Sequence, residues 1–264
     1  MGENSPIGWT HHTFNPWWGC TKVDSGCATC YAEKMATRYK HDVWGKGKER
    51  RFFEDAHWGQ LIKWQEKAAA AGEYHRVFIG SMCDIFDGEV SYHWRDKLWS
   101  LFDLTPNLIK LLVTKRPECI PGMYPLKWLK NPRNDVWFLF SVSDQQTANE
   151  RLPIASTIPA IVKGISYEPG IGPVDWLNTE GFVDNVGKGN FQWMIVGGES
   201  VGSRPFEFAW ALDTLETCQH LNMAFYMKQM GYDLAKSQGI ARIDRKGETL
   251  KYLPENLRIR KYPA

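Results

Sequence analysis

The chain has 264 residues, 43% of them hydrophobic and 23% charged, a balance that excludes a disordered, collagen-like or fibrous protein. Its 32 Lys and Arg against 30 Asp and Glu leave a formal net charge of +2, too little for whole-molecule attraction to nucleic acid, although a local basic groove stays open. No apolar run approaches the roughly 18 residues of a membrane span and residues 1–6 lack the apolar core of a signal peptide, so the expectation is a cytoplasmic protein with no membrane partner.

The predicted elements follow one another as strand and helix. A strand opens the series at residues 9–14. The alanines at 68–71 end a helix, with Gly72 as its C-cap. Strands are then expected over 76–84, 108–116, 136–145, 160–168, 193–200 and 224–229, with helices over 92–102, 145–152 and 208–221. Strands that alternate with helices pair in parallel, and apolar runs this continuous are buried on both faces. About seven strands in βα order predict an α/β fold, a full or partial (β/α) TIM-type barrel, with an open doubly wound sheet as the structural alternative. Such barrels use about 250 residues as one unit, so residues 1–264 are expected to form a single domain.

In a barrel of this kind the chemistry sits at the C-terminal strand ends. Those ends carry Ser81 and Asp84, then Thr114, Lys115 and Arg116, then Ser141, Ser143 and Asp144, then Ser166 and Glu168, then Glu199 and Ser200, then Lys228 and Gln229. Any one of these residues is explained by strand ends meeting water. The coincidence over six strands asks for a functional reading.

Of six cysteines, Cys20, Cys27 and Cys30 crowd into the segment spanning residues 15–32, whereas Cys83, Cys119 and Cys218 are scattered. Clustered thiols in a reducing compartment point to metal, and the scattered ones to small buried hydrophobes. Gly19 and Gly26 let the loop turn sharply enough for three thiolates to converge. A structural zinc site closes with four protein ligands, so zinc would have to recruit His11, His12 or His41. Three cysteines on a cubane cluster instead leave one iron open to react. Unrelated buried cysteines are the third reading.

The loop after the first strand resembles the radical S-adenosylmethionine (SAM) superfamily. More closely, the chain resembles a phage-associated family of uncharacterised three-cysteine proteins described as radical-SAM-like. The matching pieces are Asn15-Pro16-Trp17-Trp18-Gly19-Cys20 with Cys27-Ala28-Thr29-Cys30-Tyr31-Ala32, then Thr114-Lys115-Arg116-Pro117-Glu118, then Ser166-Tyr167-Glu168-Pro169 with Gly172-Pro173. They continue through Gly197-Gly198-Glu199-Ser200 with Ser203-Arg204-Pro205 to Lys228-Gln229-Met230-Gly231, and so cover nearly the whole chain. Two departures stand out. The superfamily's common loop has three and then two residues between cysteines, whereas this one has six and then two. The Gly-Gly-Glu motif, which in many members follows the second strand and binds the methionine amino group, comes here near the sixth.

The resemblance implies a 4Fe-4S cluster on Cys20, Cys27 and Cys30 whose open iron binds SAM, with one-electron cleavage yielding a 5′-deoxyadenosyl radical and an electron-donor protein as partner. The cofactor carries this chemistry, and the protein binds, orients and excludes water. By position, Ser81 to Asp84 replaces the displaced motif, with Asp84 the candidate for the amino group. Ser141, Ser143 and Glu168 are candidates for ribose or methionine contacts, and Arg116 or Lys115 for a carboxylate or substrate phosphate.

Glu199 either accepts a donor from SAM or substrate, with Gly197 and Gly198 clearing the approach, or is a solvated acid in a tight turn. Lys228 is either a snorkelling lysine or an acid/base group at the substrate. Trp17 and Trp18, among 13 tryptophans, either shield the cluster, stack on a base or fill the core. The basic run at 46–51 is either a solvated loop or a track for a phosphate backbone. The substrate expected is a small molecule, nucleoside, nucleotide or DNA base, and a phage-encoded chain would act in the host cytoplasm. The competing classes are a zinc protein and an iron–sulfur nucleic-acid-binding module without SAM chemistry.

Overall fold

A computed structural model of the protein describes residues 2–202 and 204–263; Ser203 of the Ser-Arg-Pro motif lies outside the described residues. The chain forms two compact units. One holds the residues up to Val23, Ala32–Leu139 and Ile158–Ile161, and the other Asp24–Tyr31, Phe140–Thr157 and the residues from Val162 on.

In chain order the elements begin with β1 (His12–Phe14), β2 (Trp17–Trp18), α1 (Tyr31–Arg38), β3 (Arg51–Phe52), α2 (Asp55–Ala71), β4 (His75–Ile79), α3 (Tyr92–Asp103) and β5 (Leu108–Thr114). The short helices α4 (Ile120–Met123) and α5 (Leu126–Lys130) lead to β6 (Val136–Val142). β1 pairs parallel to β4 with His12 opposite Val77, and β4 parallel to β5 with His75 opposite Leu108. Their apolar residues Phe14, Val77, Ile79, Leu111 and Leu112 are buried, and α2 lays Trp58, Leu61, Trp64 and Ala68 into the core at helical spacing. Gly72 ends α2 in the left-handed region at φ 66°, its N–H donating to the carbonyls of Ala68 and Ala69, as the alanine run predicts.

The second unit continues with α6 (Gln145–Thr157), β7 (Val162–Tyr167), β8 (Trp193–Gly197), α7 (Phe208–His220), β9 (Ala224–Gln229) and α8 (Tyr232–Ser237). β7, β8 and β9 pair in parallel, with a register irregularity where β8 passes from Val196 to Gly197. All seven residues of β6 and all five of β8 are buried, the signature of parallel strands covered on both faces.

Among the described residues the main sheet has seven strands in the order β1-β4-β5-β6-β7-β8-β9. The class is the expected α/β one, and seven strands fit the partial rather than the eight-stranded closed barrel. The antiparallel ribbon of β2 and β3, with Trp17 opposite Phe52, and helix α1 were not expected from the sequence. Two-residue strands leave no periodicity to read. Among the described residues no helix is long and apolar enough to cross a membrane.

Candidate functional site

In the first unit, Asn15 fixes the approach to Cys20. Its Oδ1 accepts from the Met82 N–H at 2.7 Å, its Nδ2 donates to Ser81 Oγ at 3.0 Å, and its carbonyl lies 2.9 Å from His57 Nε2. Gly19 then donates its N–H to the Met82 carbonyl at 3.1 Å and turns at φ 115°. A side chain there would meet the Val43 carbonyl at 2.3 Å, so the tight approach requires glycine. Gly19 also bridges to Cys83, which puts that thiol's backbone beside Cys20. Nothing in the sequence spacing marks this neighbour.

Asp84 and Arg116 meet beside Cys20. The Arg116 guanidinium donates to Asp84 Oδ2 at 2.8 Å, to the Thr21 carbonyl at 2.5 Å and towards Cys20 Sγ at 3.6 Å. Asp84 also accepts from Thr114 Oγ1 at 2.9 Å, the Lys115 N–H at 3.1 Å and the Phe86 N–H at 3.0 Å. Each carboxylate oxygen thus already accepts at least two hydrogen bonds, which fills its capacity. Asp84 therefore holds Arg116 and the end of β5, and is not an open acceptor for an amino group. Ser81 is likewise engaged with Asn15. Burial pushes the Cys20 thiol up to about 12, with Asp84 and Asp87 adding to the shift and Arg116 opposing it. Burial alone would lower the Arg116 pKa, but Asp84 and Cys20 outweigh it and raise it.

In the second unit, Cys27 closes a single helical turn, Ser25–Cys27, capped by Asp24, whose Oδ1 accepts from the Cys27 N–H at 3.0 Å. Asp24 is ion-paired with buried Arg151, which also donates to the Ser141 carbonyl at 2.7 Å. Ser25 Oγ donates to Asp144 Oδ2 at 3.2 Å, while Asp144 Oδ1 accepts from the Thr147 N–H in the first turn of α6 at 2.9 Å. Arg204 donates to the Ser25 carbonyl at 2.7 Å and, through Nε, to Glu199 Oε1 at 3.0 Å. Thr29 Oγ1 donates to the same carboxylate oxygen. Residues 24–29, the turn that carries Cys27, are thus clamped by side chains from α6 and from the segment after β8.

Glu199 is 5% exposed, which overturns the solvated-acid reading. Burial would raise its carboxyl pKa, but the hydrogen bonds from Arg204 and Thr29 outweigh burial and hold it below the ordinary range. Its Oε2 and the buried Ser143 Oγ have no hydrogen-bond partner. A Cβ at Gly202 would come 2.1 Å from that Oε2. Gly197 and Gly198 do not clear the way for a ligand: a Cβ would meet Gln229 at 3.1 Å on the first and the Met230 carbonyl at 2.5 Å on the second, so they let β9 approach. Lys228 is ion-paired with Glu168, both mostly buried, which excludes the snorkelling reading. Ser141 and Ser143 are buried at the end of β6.

Trp17 is fully buried, so of the two tryptophans only Trp18 is open to a ligand. His11 and His12 stand at the start of β1, not beside the loop that follows it. His11 Nδ1 accepts from the Arg76 N–H at 2.7 Å and His12 Nε2 lies 3.2 Å from His75 Nδ1. His41 lies edge-on to Trp18 at 5.7 Å. None of the six cysteines is in a disulfide. Cys218 is buried as expected, whereas Cys83 and Cys119 keep partial exposure. Among the described residues no three His, Cys, Asp or Glu side chains are arranged to hold a metal ion.

Parallel strands in βα order with a thiol-bearing loop after the first define an α/β protein whose polar residues gather at strand ends. The chain belongs to the family described as protein of unknown function (DUF5131), whose model matches residues 4–253. No curated protein matches it. Among solved structures it is similar to forms of spore photoproduct lyase. A tyrosine-to-phenylalanine mutant shares 14% identity over 94% of this chain and 65% of that chain, with a TM-score of 0.49. A cysteine-to-serine mutant shares 13% over 94% and 65%, with a TM-score of 0.48. A double mutant with bound AdoMet and dinucleoside spore photoproduct shares 14% over 94% and 66%, with a TM-score of 0.46. The chain thus spans less than two thirds of the length of these structures.

Proposed function

We propose that the chain is a radical SAM enzyme of the phage-associated three-cysteine kind, in which Cys20, Cys27 and Cys30 hold a 4Fe-4S cluster. The observation that carries this reading is the donor set itself: three cysteines outside any disulfide, each partly accessible, within one eleven-residue segment after the first parallel strand. Three thiolates suit a cubane with one open iron better than a closed zinc tetrahedron. The remaining residues fit a polar cofactor rich in donors, because the acceptors Glu199 Oε2 and Ser143 Oγ are buried without a partner. When bound, the cluster and SAM supply one-electron cleavage of a carbon–sulfur bond.

The chain's own residues hold and shield that chemistry. Arg116, fixed by Asp84, places a cation beside Cys20, where it offsets thiolate charge and is positioned for a carboxylate. Glu199 receives an amino group or hydroxyl on Oε2 while its other oxygen stays with Arg204 and Thr29. Ser141 and Ser143 supply ribose contacts. Lys228 and Glu168 form a charge-balanced pair that donates to and accepts from the substrate. The substrate is a nucleoside, nucleotide or DNA base, and the electron comes from a donor protein.

Anaerobic iron–sulfur reconstitution, then dithionite and SAM, tests this reading. The wild type is expected to bind about four irons and to form 5′-deoxyadenosine, and Cys27→Ala to do neither. A colourless protein with one tightly held zinc overturns the cluster, and an intact cluster that gives no product from SAM across nucleotide and nucleic-acid substrates overturns the enzyme.

A further inference from the structure

Residues 38–51 carry six Lys and Arg against two Asp and Glu, a net of +4 in a chain whose total is +2, so the other 250 residues are net negative. This charge sits in the first unit, on the connection from α1 to β3. One of the six, Arg50, is buried and organises the rest. Its guanidinium pairs with Asp87 at 2.8 Å and caps the carbonyls of Val43, Gly45 and Lys48 at 3.1, 3.0 and 2.9 Å. A fully donated guanidinium of this kind fixes the loop's backbone. Lys46 and Lys48 are thereby presented outward on a braced loop, Lys48 in a solvent-exposed pair with Asp42 at 2.5 Å that a phosphate can replace, with Arg38 and Lys40 exposed at the end of α1.

Aromatic rings are interleaved with these cations. The Arg51 guanidinium lies 4.8 Å from the Trp18 ring and 4.9 Å from the Phe53 ring. Tyr39 is 61% exposed, its ring 6.1 Å from that of Trp18. A partly exposed indole flanked by an exposed phenol and a stacked guanidinium is a surface for planar, electron-rich groups.

We propose that this surface binds single-stranded nucleic acid, with phosphates on Arg38, Lys40, Lys46 and Lys48 and a base stacked at Tyr39 and Trp18. An acidic peptide would need the cations but not the rings. A membrane surface would call for the cations on an amphipathic helix, whereas residues 41–50 are not helical. A duplex hides the base faces that the rings would take. The surface runs up to the first cysteine: the Gly45 N–H donates to the Cys20 carbonyl at 2.9 Å and Arg50 to Thr21 Oγ1 at 2.8 Å. A strand lying on it is led to the proposed chemistry, yet the binding stands whether or not the loop holds a cluster.

The test is equilibrium binding of a fluorescent oligothymidylate to the full chain between about 50 and about 200 mM salt. Each neutralised phosphate contributes about −0.7 to the slope of log K against log salt for a single strand. The K46E/K48E variant is expected to flatten the slope by about 1.4 and to weaken binding at least tenfold at the lower salt. Tyr39→Ala is expected to weaken binding about fivefold or more with the slope unchanged. The control K188E/K251E changes the net charge equally at exposed lysines of the other unit and is expected to bind as the wild type does. Unchanged melting of each variant shows that it folds. Equal losses in the control, equal affinity for duplex, or binding of phosphatidylserine vesicles without binding of the oligonucleotide would each overturn the proposal.

Discussion

Arg204→Ala tests whether the cysteine-bearing turn is held from a distance. The side chain is 27% exposed and spans Glu199 Oε1, by a 3.0 Å bond from Nε and a second contact from Nη2, and the Ser25 carbonyl, at 2.7 Å. Removing one member of a buried charge pair costs about 3–5 kcal/mol. Partial exposure of Arg204 lets water replace some of its bonds, so the expected cost is about 2 kcal/mol. If that cost falls on the turn, local opening becomes about 30-fold more frequent, since each 1.4 kcal/mol is a factor of about ten. Hydrogen exchange reads it directly, because the Cys27 and Ala28 amides donate to Asp24 and Ser25 within the turn. The Glu199→Gln/Arg204→Ala pair should recover part of the loss by removing the stranded charge. The pH dependence has a definite sign. Glu199's carboxyl lies below its ordinary value in the folded chain, so it contributes stability above the ordinary carboxylate pKa that is lost as pH falls, and the variant's deficit should shrink in acid. Exchange of the two amides within about twofold of the wild type at neutral pH would refute the clamp.

Two further outcomes follow from other parts of the chain. Burial first, then the neighbouring His75 and His11, push the His12 imidazole from 6.5 down to about 4. The unfolded chain therefore takes up a proton that the folded chain refuses, and stability should fall as pH drops from about 6.5 to about 4, by up to about 3 kcal/mol. Urea titrations of His12→Gln should lose that slope; an unchanged slope would assign it elsewhere. Gly198→Ala places a Cβ 2.5 Å from the Met230 carbonyl, which forces the ends of β8 and β9 apart. A loss of about 3 kcal/mol is expected in thermal unfolding, and a neutral result would return the glycine to the ligand-access reading.

The strands were legible because each is a short apolar run whose burial on both faces leaves a continuous pattern, as the seven buried residues of β6 illustrate. The three thiols of the proposed site also stand out by locality, since Cys20, Cys27 and Cys30 share one segment. What the sequence does not carry is which polar groups remain open once the chain has folded. Asp84 and the Thr114-Lys115-Arg116 run stand out separately in the sequence, yet in the structure they consume one another. Glu199 stands out as a carboxylate after two glycines, but its Thr29 partner lies 170 positions away, and Arg151 is 127 positions from Asp24. Cys83 reads as an isolated thiol until parallel pairing brings it next to Gly19. A side chain's chemistry is fixed by its own residue, whereas its availability is set by partners that the fold brings from far along the chain. Candidate ligand groups are therefore better ranked by the hydrogen-bonding capacity that folding leaves unused. On that criterion Glu199 Oε2 and Ser143 Oγ stand above the saturated Asp84.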